Sequence, residues 1–203
     1  MYERFWCSKF HPRQGDVVFD IGSGQAEDLE VFSAAVGQTG RVVAFECNPA
    51  FEEANRSAAY VLGNVVFYKA AVSDEPGVVV LEGADNWESR TTCKMTHGHR
   101  LDLSANKAVM VPAVRLDSIV ADLHLERIDL LKMNIEGAEV QALQGLGAAV
   151  SKVQHAVIGA HDFRAHRGEG EQYRTHSAVV QYLQANGFKT ETTPGWWHVH
   201  AWR

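Results

Sequence analysis

The stretch Gly15-Asp16-Val17-Val18-Phe19-Asp20-Ile21-Gly22-Ser23-Gly24 constrains this chain more than any other. An apolar run of strand type enters a glycine turn directly. A second apolar run, Arg41-Val42-Val43-Ala44-Phe45-Glu46, follows it and ends in an acid. This layout builds a nucleoside pocket at the carboxyl edge of an open parallel α/β sheet. Glycine has no Cβ, so backbone at such a turn can approach a ligand closely. An acid closing the second strand accepts both hydroxyls of a ribose.

Charge narrows the nucleoside. A dinucleotide site asks for Gly-x-Gly-x-x-Gly, which leaves a bare helix N-terminus for pyrophosphate. Here the run is Gly22-Ser23-Gly24-Gln25-Ala26-Glu27-Asp28, with an acid at the sixth position and another after it. Two carboxylates repel pyrophosphate while stabilising a helix start themselves. A cationic nucleoside without phosphate fits better. S-adenosylmethionine, with an adenosine, a sulfonium and an ammonium, is therefore the expected cofactor. Asp20, Glu27 and Asp28 are expected to face its cationic end, with plain helix-start roles as the alternative for the last two. Gly22, Ser23 and Gly24 are expected in the turn, and Glu46 at the ribose with Cys47 and Asn48 beside it.

A chain of 203 residues suits one domain and is long enough for a full core. The expected domain is 1–203, with an N-terminal segment 1–14 and an inserted β-element and loop at 75–115. No apolar run approaches the ~20 residues that span a bilayer. The start, Met1-Tyr2-Glu3-Arg4-Phe5-Trp6, lacks the basic region and apolar stretch of a signal peptide. Cys7, Cys47 and Cys93 are an odd, scattered set, which points to a reducing compartment and a cytoplasmic protein. The formal charge of −6 argues against a broad nucleic-acid face. A local basic cluster does exist at Arg164, His166, Arg167 and Arg174.

Hydrophobic periodicity predicts strands at 17–21, 41–46 and 65–70, with helices at about 27–36 and after Asn48-Pro49. Asn48 reads as an N-cap with proline at the first helical position. Phe51, Ala54, Ala58 and Val61 form the expected apolar stripe of the second helix. The β-α-β-α-β order implies parallel strands joined by crossovers. Residues 75–115 break it: a turn at Glu75-Pro76-Gly77, a short strand at 78–81, a polar stretch at 83–107 without a strong period, then a strand at 109–114. Loops of that length are uncommon and often functional. Further on, a short helix from Leu116, a buried strand at 128–135, a helix at 137–146, a strand at 153–160 and a helix at 172–186 are expected. A C-terminal hairpin follows, 188–192 and 197–202 about a Pro194-Gly195 turn, with Trp196, Trp197 and Trp202 as packing. Tyr2, Phe5, Trp6 and Phe10 are expected to pack on the sheet edge, or alternatively to cover the pocket.

The segment Ile128-Asp129-Leu130-Leu131-Lys132-Met133-Asn134-Ile135-Glu136-Gly137-Ala138-Glu139 resembles the signature of FkbM-type methyltransferases, a strand reading roughly LLKIDVEGAE before a helix. Leu116-Asp117-Ser118 resembles that family's LD element, and Ala71-Val72-Ser73-Asp74 with Gly77 its AVSD..G turn. The likeness covers about 16–147. It implies a class I, Rossmann-like methyltransferase fold: an open, mostly parallel sheet with helices on both faces, here with the inserted β-element and an antiparallel C-terminal hairpin. It implies S-adenosylmethionine as cofactor and methylation of a hydroxyl. By position it matches Asp20, Gly22 and Gly24 to the cofactor turn and Glu46 to the ribose, and it places Ser73 at the adenine. Two residues depart from the pattern. Ala26 replaces a glycine, and Asn134 replaces the usual aspartate where the fourth strand opens onto the reaction centre.

Methyl transfer is an in-line displacement in which positioning supplies much of the acceleration. A neutral alcohol also has to lose its proton, so a base belongs within hydrogen-bond reach. Strand alternation puts Lys132, Asn134 and Glu136 on one face. Each is a candidate, with a helix cap as the alternative for Glu136 and a buried acid partner as the alternative for Lys132. His161, at the next strand end, is the candidate general base because its ordinary pKa of about 6.5 suits proton removal near neutrality. A structural histidine is the alternative there. The loop with Arg164, His166 and Arg167 is a candidate receptor for an anionic substrate. His97-Gly98-His99 and His198-Val199-His200 lack the partners of a zinc site, and no metal is expected. The reading is an O-methyltransferase acting on a small molecule or a glycan. The alternatives are an RNA 2′-hydroxyl methyltransferase and a non-catalytic module that keeps the fold; a dehydrogenase is disfavoured by the two acids after the turn.

Overall fold

A computed structural model describes residues 3–81, 93–94, 108–193 and 197–203. In chain order the elements are α1 (Glu3–Trp6), β1 (Val17–Ile21), α2 (Leu29–Val36), β2 (Arg41–Phe45), α3 (Glu52–Leu62), β3 (Val65–Tyr68), β4 (Ala71–Val72), β5 (Gly77–Leu81), β6 (Cys93–Lys94) and β7 (Val109–Val114). They continue with α4 (Leu116–Asp122), β8 (Ile128–Met133), α5 (Glu139–Gln144), β9 (Val153–Gly159), α6 (Asp162–His166), α7 (His176–Ala185), β10 (Lys189–Thr192) and β11 (His198–Trp202).

The main sheet has the order β10-β11-β9-β8-β1-β2-β3. Strands β3, β2, β1, β8 and β9 run parallel, and β11 and β10 close the other edge antiparallel. This is the expected open, mostly parallel sheet with its C-terminal hairpin. Alternate residues serve opposite faces. Phe19, Ile21, Phe45, Leu131 and Met133 pack toward α4, α5 and α7. Val18, Val42, Ala44 and Leu130 pack toward α1 and α2, against Trp6, Leu29 and Phe32. All six residues of β8 are buried, as a central strand covered on both faces requires. Each fully buried large apolar side chain contributes about 1.5–3 kcal/mol. Asp162 caps α7 from outside it: its Oδ2 accepts from the backbone N–H of Thr175 (3.0 Å) and His176 (2.9 Å).

Strands β5, β6 and β7 of the inserted region join β4, which precedes it, in a second sheet of order β4-β7-β5-β6. Strand β6 falls inside the polar stretch where no strand was expected. The rest of 83–107, including His97 and His99, lies outside the described residues, as do Trp196 and the Pro194-Gly195 turn. No described helix is long and apolar enough to cross a membrane. Neither Cys7 nor Cys47 is in a disulfide.

Three local expectations are corrected. Helix α2 starts at Leu29, because residues 24–28 are occupied by the turn. The apolar stripe of α3 fails at its end, where Val61 is 77% exposed, and the fully buried residue of that helix is Asn55. Arg164 and His166 lie on the helix α6 rather than in a loop.

Candidate functional site

The cavity opens at the carboxyl ends of β1, β2 and β8, where open α/β sheets hold ligands. Its floor is the glycine turn. Gly22, Gly24 and Ala26 have φ of +81°, +55° and +65°. The two glycines serve different needs. A Cβ on Gly22 would lie 2.2 Å from the Asn134 carbonyl oxygen, so this glycine is demanded by the neighbouring strand and not by a ligand. A Cβ on Gly24 would meet nothing within 4 Å; there the backbone faces open cavity. Ala26 occupies the left-handed position where a glycine fits without strain.

Glu46 stands just past β2 and joins two loops. Its Oε2 accepts from the N–H of Gly24 at 2.9 Å, and its Oε1 accepts from the N–H of Asn48 at 2.7 Å. Burial pushes its pKa up, against the backbone N–H groups of Asn48, Gly24 and Cys47 that favour the carboxylate. Both oxygens keep acceptor capacity toward the cavity, as a ribose diol requires. Cys47 and Asn48 line the same wall. The Asn48 side chain caps the following turn, accepting from the Ala50 N–H at 2.9 Å.

Ser23 lines the cavity, but its hydroxyl turns away and donates to Asn55 Oδ1 at 2.6 Å. Asn55 in turn donates to the Gly24 carbonyl (2.7 Å) and the Phe51 carbonyl (2.9 Å). This residue, which ties the turn to α3, was missed from sequence. The available signal was a lone amide one helical turn after Phe51, at a position facing the core. Ser73 is buried, its hydroxyl donates to Asp74 Oδ1 at 3.0 Å, and Ala70, Ala71 and Val72 form the cavity wall there.

Lys132 lines the cavity with its ammonium already engaged. It is 2.7 Å from Asp20 Oδ1, donates to the Gly22 carbonyl at 2.9 Å, and lies 3.8 Å from Asp28 Oδ2 and 5.2 Å from the Trp6 ring centroid. The expected catalytic role gives way to the buried acid partner. Asp20 is fully buried, and its Oδ2 has no hydrogen-bond partner among the described residues. Asp28, which makes no side-chain cap for α2, and the exposed Glu27 both face the cavity. Burial raises the Asp28 pKa to about 6, with Asp20 and Glu27 adding to it and Lys132 opposing. Trp6 packs against the central strands, beside Val18, Leu130 and Val157, rather than on the sheet edge, and it also lines the cavity.

At the other end, Asn134 and Glu136 line the cavity. The Asn134 side chain lies against Gly159, where a Cβ would come within 3.0 Å of its Oδ1. His161 lies behind them, buried, between Glu139 (2.7 Å) and Glu136 (3.3 Å). Burial alone would lower its pKa, but the two carboxylates raise it to about 9. The imidazole is therefore a cation near neutrality, not the free proton acceptor that was expected. Arg164 is buried against Glu136 and Glu169, so its guanidinium does not stand ready for an anionic substrate, while Arg174 pairs with Glu171 at the surface. His198 packs against the Phe5 and Trp6 rings, and His200 against the Thr193 hydroxyl.

Among the described lining residues, Glu27, Asp28, Glu46 and Glu136 face a single cation, Lys132, which Asp20 already neutralises. This donor set fits a cationic nucleoside and opposes a phosphorylated one. The family model described as "Methyltransferase FkbM domain" matches residues 16–190. The chain belongs to the FkbM methyltransferase family. This FkbM domain shares its fold with class I methyltransferases of known structure. The methyltransferase FkbM from Methylobacillus flagellatus superimposes with a TM-score of 0.63 at 14% identity, over 98% of this chain and 46% of that one. Aeropyrum pernix fibrillarin, in complex with S-adenosyl-L-methionine, gives 0.55 at 12% identity, over 97% and 70%. Precorrin-6y C5,15-methyltransferase from Geobacter metallireducens gives 0.54 at 15%, over 97% and 85%. A stretch of 76 residues is 40% identical to the AMB antimetabolite synthetase AmbE of Pseudomonas aeruginosa, covering 37% of this chain and 3% of AmbE. The chain thus spans less than half the length of the FkbM structure and a small fraction of AmbE.

Proposed function

We propose that this FkbM domain, residues 1–203, transfers the methyl group of S-adenosylmethionine to a hydroxyl of a small molecule or glycan in the cytoplasm. The observation that carries the reading is Glu46, held by the N–H groups of Gly24 and Asn48 with its carboxylate turned to the cavity. Glu46 takes the ribose hydroxyls, and the backbone at Gly24 lies along the sugar. Asp28 and Glu27 face the ammonium and sulfonium, with Asp20 acting through Lys132. Ala70, Ala71 and Val72 offer an apolar wall to the adenine. When bound, the cofactor supplies an electrophilic methyl carbon and a thioether leaving group. Asn134 and Glu136 stand on the acceptor side. The likeness to AmbE, an antimetabolite synthetase, supports a small-molecule acceptor. The buried, engaged Arg164 and the formal charge of −6 favour that acceptor over RNA.

Calorimetric titration with S-adenosylmethionine, S-adenosylhomocysteine and NAD tests the cofactor. Binding of the first two and none of NAD is expected; the reverse order rejects the reading. Transfer of a labelled methyl group to a panel of sugars, polyols, hydroxy acids and phenols tests the acceptor. Labelling confined to amines or to RNA rejects a hydroxyl acceptor on a small molecule or glycan.

A further inference from the structure

The backbone singles out one residue on the acceptor side. Glu136 has φ of +57°, and Gly137 follows at +105°. A residue with a Cβ in the left-handed region carries a penalty of roughly 1–2 kcal/mol. Such strain persists only where surroundings over-determine it, and it concentrates at functional sites. The surroundings here are specific. Arg164 Nη1 donates to Glu136 Oε2 at 2.8 Å, and His161 Nε2 is 3.3 Å from Oε1. Both cations approach from the buried side: their side chains are 6% and 5% exposed, while that of Glu136 is 30% exposed and lines the cavity.

The two cations are themselves fixed. His161 Nδ1 is 2.7 Å from Glu139 Oε1, the oxygen that also accepts from the Gly137 N–H at 3.0 Å. One carboxylate thus holds both the imidazole and the strained turn. Arg164 donates through Nε to Glu169 Oε2 at 2.7 Å and lies 3.9 Å over the Tyr173 ring. Three carboxylates face one imidazolium and one guanidinium, so the cluster carries one formal negative charge. It can take up one proton and become neutral, and its exposed end is Glu136.

We propose that Glu136 is the catalytic residue that takes the acceptor's proton, and that His161, Glu139 and Arg164 are positioning residues that hold its carboxylate in the left-handed turn. This rests on the methyl-transfer reading given above. The acceptor's O–H bond breaks, the proton forms a bond to a Glu136 carboxylate oxygen, and the electron pair left on the acceptor oxygen bonds the methyl carbon. The C–S pair departs with the thioether. Glu136 then returns its proton to water at the cavity mouth. His161 moves no proton in this step; its charge fixes Glu136.

The test has two independent arms. In the first, the imidazole of His161 is followed by ¹⁵N NMR in the histidine-labelled full chain, assigned by its loss in His161→Gln. It is expected to remain cationic well above the ordinary histidine range and to titrate at least one pH unit lower in Glu139→Gln. A wild-type His161 that titrates like an exposed histidine overturns the clamp. In the second, Glu136→Gln is compared with wild type on the panel alcohol with the fastest transfer. A kcat reduced about 100-fold or more, with cofactor affinity unchanged, is expected for loss of a general base. Unchanged kcat overturns the role of Glu136. Glu139 is not among the residues lining the cavity, and Glu139→Gln is expected to reduce kcat about tenfold with KM unchanged through lost positioning. A KM change alone overturns positioning. Failure of the wild-type protein to bind S-adenosylmethionine counts against the methyl-transfer reading, while the NMR arm still decides the clamp.

Discussion

Asp20 and Lys132 lie directly opposite one another on the paired strands β1 and β8, and the Lys132 ammonium reaches Asp20 Oδ1 at 2.7 Å with both side chains buried. The same ammonium donates to the Gly22 carbonyl. The pair therefore fixes the first residue of the glycine turn to the strand that leads into Asn134 and Glu136. Removing one member leaves a buried charge without a partner, which costs about 3–5 kcal/mol. Lys132→Met is expected to lose that much stability in urea denaturation. Asp20→Asn with Lys132→Met is expected to lose less than Lys132→Met alone. Equal losses would show that the pair contributes nothing beyond packing.

The turn permits a sharper comparison. Gly22→Ala puts a Cβ 2.2 Å from the Asn134 carbonyl and forces β1 and β8 apart at the site. Gly24→Ala meets no atom and pays only for the left-handed backbone, roughly 1–2 kcal/mol. Ala26→Gly removes the same kind of strain and is expected to stabilise the fold by about 1 kcal/mol. Thermal denaturation of the three variants should rank them Gly22→Ala, Gly24→Ala, wild type, Ala26→Gly in rising stability.

These glycines also mark how far the sequence could be read. Strand β8 was legible because six consecutive residues are buried and the motif runs through them. The meeting of the turn and Glu46 at the cavity was legible because both belong to one local strand–turn–strand unit. Asn55, Glu139 and Arg164 were not, because their roles depend on which side chains distant segments bring near them. His161 was correctly placed just past a strand end, yet its charge is set by two carboxylates from another segment, Glu136 after β8 and Glu139 at the start of α5. No periodicity encodes that. Val61 misled because it completes an apolar spacing on a helix face that turns to solvent.

Glu46 should dominate cofactor affinity. Glu46→Ala removes the acceptor for the ribose and also releases the N–H groups of Gly24 and Asn48. Charged hydrogen bonds of this kind contribute about 1–3 kcal/mol. The expected loss is roughly 5- to 150-fold in affinity for S-adenosylhomocysteine by calorimetry. An unchanged constant would remove Glu46 from the ribose site.

Cofactor binding should also depend on pH through Asp28. Its pKa, raised to about 6 chiefly by burial, means the free site holds a proton there in mildly acidic solution. A cationic ligand favours the carboxylate, so binding expels that proton. Affinity for S-adenosylmethionine should fall as the pH drops from 7 to 5, with proton release visible as buffer-dependent heats near pH 6. Asp28→Asn should flatten this dependence. A wild-type affinity constant across that range would separate Asp28 from the ligand's charge.

The clamp on Glu136 should impose its own pH window on stability. His161 is raised from 6.5 to about 9 by its two glutamates, so the folded state binds its proton more tightly than the unfolded state does. The stability it contributes is complete below pH 6.5 and is lost as the pH rises through about 9. Glu136 behaves oppositely. Burial opposes its charge, but His161 and Arg164 more than offset that and hold its pKa below the ordinary 4.5. Its contribution is complete above pH 4.5 and is lost on further acidification. The combined contribution should therefore form a plateau between about pH 4.5 and 6.5 and decline on both sides. Urea midpoints measured from pH 4 to 10 should show the alkaline decline in wild type and lose it in His161→Gln. A decline that survives the substitution would assign it to another group and leave His161 without the charge that its two carboxylates imply.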